Sequence, residues 1–208
     1  MLFLAVSACG AGSHGQLTVG DKNANLTVNF SEKKALEKME ANSFADLGPG
    51  VDCASSRSPY YNDIAWIVDR INPALALRTD ILPPVHGAQL LDNPPRSDNR
   101  IGVYLCSGMS ANAYTIYRSV YLSNDFMAKL KTASPAWGGN EAFISALAFV
   151  AYHEMGHAAL NHSAGKLRVG AQQFDLPQEL QADQFAYDAM AAAGIGLNGS
   201  EMAKAAGI

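Results

Sequence analysis

The chain has 208 residues, of which 49% are hydrophobic and 16% charged, and its formal net charge is -4. This length and composition exclude a disordered chain and are typical of a single globular domain with a well-filled core. The charged residues form no basic cluster, so we expect no nucleic-acid partner. After the first ten residues, no stretch of the sequence is apolar for long enough to span a lipid bilayer.

The chain opens with an apolar run that ends in small residues and a cysteine. Residues 6–9 resemble the lipobox of a bacterial lipoprotein signal, although no Lys or Arg precedes the apolar run. The resemblance implies a lipid on Cys9 as the only membrane attachment, and a location on the periplasmic side of the bacterial cell envelope. We therefore expect a signal remnant and tether over residues 1–20, followed by one domain over residues 21–208. The alternative is a frayed hydrophobic N-terminus that happens to contain a cysteine.

Cys53 and Cys106 remain as an even pair when Cys9 is set aside. In an exported protein such a pair predicts one disulfide, which would stabilise the fold by about 4 kcal/mol in the chain-entropy model. Two buried free thiols are the alternative. Neither cysteine has a CxxC neighbour, so we do not expect cysteine ligands to zinc.

Local patterns predict the elements of the first half of the chain. Weak alternation predicts a strand or hairpin over residues 16–30, and the polar stretch 32–42 is predicted as a helix. Isoleucine and valine at helical spacing predict a further helix over residues 60–72, which Pro73 should stop. Residues 75–82 are predicted as a strand, and a proline-rich connection follows them.

The second half begins with two runs rich in β-branched and aromatic residues. We predict that these runs, residues 101–106 and 114–122, are adjacent strands of one sheet. Ser123 can cap a short helix, and a longer helix should begin near Asn140. Residues 142–152 of that longer helix are almost entirely apolar, which predicts burial on nearly all sides.

At the end of this long helix the motif HExxH places His153 and His157 four residues apart, with Glu154 beside them. Residues four apart share one face of a helix, so both imidazoles can bind the same metal ion. Burying these polar groups without a partner would be costly, and a metal ion would be that partner. The alternative is a polar helix end at the surface without metal, because the five-residue pattern also occurs by chance.

A second motif lies on a helix that we expect to begin at Pro177, with Asp175 and Gln178 spaced as a capping box. This helix carries Glu179 and Asp183, again four apart on one face. Glu179 would complete a three-ligand zinc site with an open fourth position, and Asp183 could accept the remaining N–H of a ligand histidine. Taken alone, this pair indicates a solvated acidic face.

HExxH followed by ExxxD is the arrangement of the gluzincins. The sequences HEMGHAALNH over residues 153–162 and ELQADQFA over residues 179–186 resemble the family of HtpX, the CAAX prenyl proteases and the periplasmic chaperone-proteases of the outer membrane. The resemblance extends over residues 100–196, and residues 119–122 resemble the edge strand of that family. Gln181 departs from the family, in which an acidic residue is common at this position.

The resemblance implies an α+β, zincin-like metalloprotease fold, in which a small mixed or antiparallel sheet packs on the HExxH helix and the ExxxD helix. It implies one zinc ion per chain, bound by His153, His157 and Glu179. Glu154 would be the catalytic base, and Asp183 would orient a ligand from outside the ligand set.

A protein of this kind is expected to be a zinc-dependent endopeptidase that cleaves unfolded or extended protein chains, with envelope protein quality control as its role. The substrate should lie alongside the edge strand near residues 117–122. One alternative is a cytoplasmic regulatory gluzincin of the ImmA/IrrE type, which reduced Cys53 and Cys106 would favour. Another is a non-catalytic binding protein that zinc stabilises.

A few other polar residues are weaker candidates for a metal ligand or a catalytic group. A metzincin requires its third histidine six residues after the second, whereas His162 follows His157 by five. On a continuing helix His162 would point about 140° away from His157, so we predict a helix-end histidine that binds no metal. A second group that stabilises the transition state is also needed, and Tyr187, His86 and Arg118 are the candidates.

Overall fold

The computed structural model describes residues 47–76, 85–93, 99–163 and 174–196. The α-helices in these ranges are α1 (Tyr61–Ala76), α2 (Asn124–Ala133), α3 (Asn140–Ala159) and α4 (Leu176–Ala193). The strands are β1 (Ala88–Leu90), β2 (Ile101–Cys106), β3 (Ala113–Ile116) and β4 (Ser119–Ser123). The predicted lipobox, tether, first strand and polar helix lie outside the described residues.

The four strands form one mixed sheet in the order β1-β2-β4-β3. The neighbours β1 and β2, and likewise β2 and β4, run parallel, whereas β3 is antiparallel to β4. One face of the sheet packs against the helices in the main hydrophobic core. The other face carries a smaller cluster, which consists of Cys53, Tyr104, Cys106, Met109 and Tyr121. The predicted α+β architecture with a small mixed sheet is thus confirmed.

The structure contradicts the prediction of a single strand over residues 114–122. The chain turns at Tyr117 and Arg118 and continues as a second strand, so these residues belong to β3 and β4. Tyr117 has a φ of 58°, a left-handed conformation that interrupts an extended chain. Because β4 lies between β2 and β3, the prediction that residues 119–122 form the edge strand is also wrong, and among the described strands β3 is the edge on this side of the sheet.

Helix α1 continues through Pro73 to Ala76 instead of stopping at residue 72. A proline inside a helix removes one backbone hydrogen bond. The helix continues because Leu75, on the turn that contains the proline, is only 1% exposed and packs in the main core. The predicted strand over residues 75–82 is therefore wrong for its first two residues, and residues 77–82 lie outside the described ranges.

A disulfide joins Cys53 to Cys106, with the two sulfurs 1.97 Å apart. It links the segment before α1 to the end of β2, in the smaller cluster of the sheet. The sequence separation of 53 residues corresponds to a stabilisation of about 4 kcal/mol in the chain-entropy model. The structure therefore has the disulfide and not two free thiols.

Helix α3 lies at the centre of the helical layer, and its predicted burial is confirmed: Ala142, Phe143, Ala146, Leu147, Ala148, Ala151 and Tyr152 are at most 1% exposed. The Tyr152 hydroxyl donates a hydrogen bond of 2.8 Å to the backbone oxygen of Ile67 in α1. Arg70 of α1 donates to the backbone oxygen of Ala193, at the end of α4. None of the helices in the described part of the chain has the length and apolar character that crossing a bilayer requires.

Gly156 allows a close contact between α3 and α4. A Cβ atom added to Gly156 would lie 3.1 Å from the Ala182 Cα and 3.1 Å from the Phe185 Cβ. Alanine is normally the better helix former, by about 0.5–1 kcal/mol. Here, however, the nearest atom is backbone, which cannot rotate away, so the helices would have to separate.

We expect Gly156→Ala to lower the free energy of unfolding by about 1–3 kcal/mol, as other overpacked cores do. Urea unfolding followed by circular dichroism measures the change. Gly196→Ala is the control, because no atom of the described residues lies within 4 Å of its added Cβ, and its effect should stay within about 0.5 kcal/mol. A Gly156→Ala protein as stable as the unmodified protein would contradict the tight contact.

Candidate metal centre

Helices α3 and α4 bring the three predicted metal ligands together. The Nε2 atoms of His153 and His157 are 3.1 Å apart, and the Glu179 Oε2 lies 3.2 Å from the first and 3.4 Å from the second. Ligand atoms at 2.0–2.2 Å from a tetrahedral zinc ion are separated by roughly 3.3–3.6 Å. We call these three residues the metal-ligand cluster; among the described residues, they are the group that could hold a metal ion. The distances between their ligand atoms are close to those of a zinc site.

The orientation of His153 also fits a cation. Its Nδ1 lies 2.8 Å from the Asp183 Oδ1, and a carboxylate oxygen can only accept a hydrogen bond. The neutral ring therefore has its hydrogen on Nδ1 and turns the Nε2 lone pair toward His157 and Glu179. Electron-rich atoms so close together repel one another, and a positive ion between them removes that repulsion.

Local capping fixes the position of Glu179. The predicted capping box is present: the Asp175 side chain accepts from the Gln178 backbone N–H at 3.0 Å, and Gln178 Oε1 accepts from the Asp175 backbone N–H at 3.3 Å. Helix α4 therefore begins at Leu176 and presents Glu179 from its first turn. Just before this helix, the Phe174 ring stacks on His157 with 3.7 Å between ring centroids.

Glu154 is adjacent to the cluster and points to the edge of the sheet. The Thr115 hydroxyl of β3 lies 2.5 Å from the Glu154 Oε2 and 2.8 Å from the Glu154 backbone oxygen. Burial is the main cause that raises the pKa of Glu154 above its ordinary value, and the Glu179 carboxylate adds to this. The Thr115 hydrogen bond and the nearby His153 ring lower the pKa in part. A carboxylate whose pKa is raised binds a proton more readily than an ordinary glutamate does, which suits a group that accepts and returns a proton.

The sequence alone does not predict Thr115 as a residue of the site. It precedes Glu154 by 39 residues, and no local pattern connects a strand threonine with a helix glutamate over that distance. The turn at Tyr117 is what makes β3 the edge strand and places the Thr115 hydroxyl beside Glu154.

Residues 120–205 match the Peptidase U49 family. The match includes β4 from its second residue and the helices α2, α3 and α4, and thus all the residues of the cluster and Glu154. It indicates a peptidase and supports a proteolytic enzyme. It does not point to the family of HtpX and the CAAX prenyl proteases in particular, so that closer relationship stays a prediction. Comparisons with curated proteins and with solved structures give no match.

The three candidates for a second group that stabilises the transition state lie in different parts of the fold. His86 is exposed and precedes β1, at the opposite edge of the sheet from β3. Arg118 is 2% exposed, in the turn between β3 and β4. Tyr187 is 41% exposed, and its ring contacts Phe149, which in turn contacts His153. Tyr187 thus reaches the cluster through the Phe149 ring.

His162 is not where a continuing helix would place it. Helix α3 ends at Ala159, and Asn161 adopts a left-handed φ of 58°, which reverses the chain. The His162 backbone N–H donates to the His157 backbone oxygen at 3.0 Å, and its ring lies beside the His157 ring. The predicted orientation away from His157 is therefore wrong, although His162 lies outside the group of three metal-ligand candidates.

Proposed function

We propose that this protein is a zinc-dependent endopeptidase. The observation that carries the proposal is the convergence of two imidazole nitrogens and one carboxylate oxygen within 3.4 Å of one another, next to the partly buried carboxylate of Glu154. Two histidines and a glutamate, with one position open, form a typical catalytic zinc site. The match to a peptidase family supports the same conclusion.

The residues of the chain have separate roles in this proposal. A bound zinc ion would supply Lewis-acid chemistry, since zinc lowers the pKa of water to about 7 and polarises carbonyl groups. Glu154 would take a proton from the attacking water and then return it to the leaving amine. Thr115 would orient the Glu154 carboxylate through its hydroxyl. Asp183 would hold the His153 ring with its Nε2 directed into the cluster.

The substrate would bind along β3 and not along residues 117–122. In the described ranges, no strand pairs with the outer side of β3, and Thr115 of this strand contacts Glu154. An extended peptide can add to such an edge through main-chain hydrogen bonds, which select its side chains only weakly. This geometry suits unfolded or extended protein chains as substrates.

The disulfide supports a location in the cell envelope. Disulfides persist in the periplasm and are rare in the cytoplasm, so the Cys53–Cys106 bond argues against the cytoplasmic regulatory type of gluzincin. We accordingly propose that the protein acts on envelope proteins and that a lipid on Cys9 anchors it.

Metal removal and restoration test this function. We expect the purified full-length chain to contain one zinc ion and to cleave unfolded casein. Treatment with 1,10-phenanthroline should reduce the cleavage rate at least about 100-fold, because the ion supplies several kcal/mol of transition-state stabilisation. Stoichiometric zinc should restore the rate. A protein that contains zinc but cleaves no unfolded substrate would instead be the non-catalytic binding protein.

A further inference from the structure

We propose that His162 is a positioning residue for the metal ligand His157, in addition to the Asp183 that positions His153. The Nδ1 atoms of His157 and His162 are 2.9 Å apart, and the His162 Nε2 lies 3.0 Å from the Gln181 Oε1. The three side chains therefore form a continuous relay that leads away from the metal-ligand cluster. The inference rests on the proposed zinc site.

With His162 neutral and the Gln181 oxygen facing it, the positions of the hydrogens in the relay follow from these contacts. An amide oxygen only accepts, so the His162 Nε2 must carry the hydrogen that it donates to Gln181. A neutral His162 then has a lone pair on Nδ1, which accepts the hydrogen on the Nδ1 of His157. This leaves a lone pair on the His157 Nε2, the atom that faces His153 and Glu179 at 3.1 Å and 3.4 Å. His162 thus selects the form of His157 that can bind a metal.

Burial makes this contact difficult to replace. His157 is 1% exposed and His162 is 6% exposed, so water has little access to the hydrogen bond between the two rings. If His162 lacked an acceptor, the buried Nδ1–H of His157 would lose this hydrogen bond, and the contact would no longer select the orientation and tautomer of the ring.

The backbone holds His162 in place independently of its ring. The chain reversal at Asn161 lets the His162 backbone N–H bind the His157 backbone oxygen. The Gln178 side chain of α4 donates to the His162 backbone oxygen at 3.4 Å. A change of the His162 side chain should therefore alter the ring contact and leave the path of the chain unchanged.

The two positioning arrangements differ chemically. His153 contacts a carboxylate directly, whereas His157 contacts a second imidazole that leads to a neutral amide. Gln181 is exposed, so water can replace its oxygen. We therefore expect Gln181 to contribute less than His162.

A pair of substitutions at position 162 isolates the acceptor. Asparagine places an amide oxygen close to where the histidine Nδ1 lies, whereas leucine has a similar size and no acceptor. We expect His162→Leu to weaken zinc binding about 10- to 100-fold, the effect typical of losing an outer partner of a ligand. His162→Asn should bind zinc within about threefold of the unmodified chain, because it keeps the hydrogen bond. Gln181→Leu should weaken binding by about threefold, since water can substitute.

Competition with a chromophoric chelator measures zinc affinity, and thermal unfolding of the metal-free proteins checks that both variants fold. Cobalt substitution gives a second measurement, because the absorption of the bound ion reports the ligand geometry and should change for His162→Leu alone. His86→Ala is the control at an exposed histidine on the far side of the sheet, and it should leave the affinity unchanged.

Equal zinc affinities for His162→Leu and the unmodified chain would overturn the positioning role while leaving the zinc site intact. Equal losses for the leucine and asparagine variants would also overturn it, because packing and not the hydrogen bond would then be the cause. An unmodified chain that binds no zinc would overturn both this inference and the proposed function. An unmodified chain that binds zinc but cleaves nothing would overturn the peptidase proposal alone.

Discussion

Glu154→Gln is expected to reduce the rate of casein cleavage about 100- to 10,000-fold, the range typical for loss of a general acid–base group. The glutamine amide has the size of the carboxylate and can still accept the hydrogen bond from Thr115, but it cannot take a proton from water. The variant should keep one zinc ion per chain, because Glu154 is not one of the three clustered ligand atoms. Initial cleavage rates, measured with zinc content on the same preparations, test both statements.

The matched control for this substitution is Glu141→Gln in the same helix. Glu141 is exposed in the first turn of α3, far along the helix from the cluster, so its variant should cleave casein at the unmodified rate. If Glu154→Gln retained full activity, Glu154 would not be the base. If it lost zinc together with activity, Glu154 would act on the metal site and not as a base.

Glu179→Ala is expected to weaken zinc binding by more than about 100-fold, beyond the effect of removing a partner that only touches a ligand. The substitution removes one of three converging atoms, so His153 and His157 alone would hold the ion. The Glu179 side chain is 39% exposed, so its truncation should change the stability of the fold by less than about 1 kcal/mol. Chelator competition measures the affinity, and casein cleavage should decrease in parallel.

Asp188→Ala controls for the loss of an acidic side chain from the same helix. Asp188 is exposed and accepts a hydrogen bond from Gln184, one turn earlier in α4, and it is not part of the cluster. Zinc affinity should be unchanged in this variant. Undiminished affinity in Glu179→Ala would show that Glu179 is not the third ligand.

Local sequence patterns predicted correctly those helix ends whose capping residues are only two or three positions apart in the sequence. Ser123 caps α2 by accepting hydrogen bonds from the backbone N–H groups of Asp125 and Phe126, as its position before the helix predicts. The capping box of Asp175 and Gln178 likewise involves residues three apart. Each of these interactions is complete within one turn of helix, so the sequence alone is sufficient to predict it.

The strand and helix predictions failed where distant contacts outweighed local preference. The run over residues 114–122 has high strand propensity throughout, and nothing in its composition marks the turn at Tyr117. Pro73 is normally a signal for a helix end, but burial of Leu75 in the core stabilises a further turn. Propensity describes a residue in isolation, whereas these two outcomes depend on what the sheet and the core can bury.

The sequence by itself determined which residues of α3 and α4 could meet a metal ion, because the four-residue spacing of each motif places its members on one face of a helix. Only the tertiary structure decided that the two faces meet, through the close contact at Gly156, and that Thr115 and His162 reach Glu154 and His157. These contacts depend on a strand turn and a chain reversal at Tyr117 and Asn161, where non-glycine residues adopt left-handed conformations. These contacts join residues that come together only when the chain is packed, so no local sequence pattern predicts them.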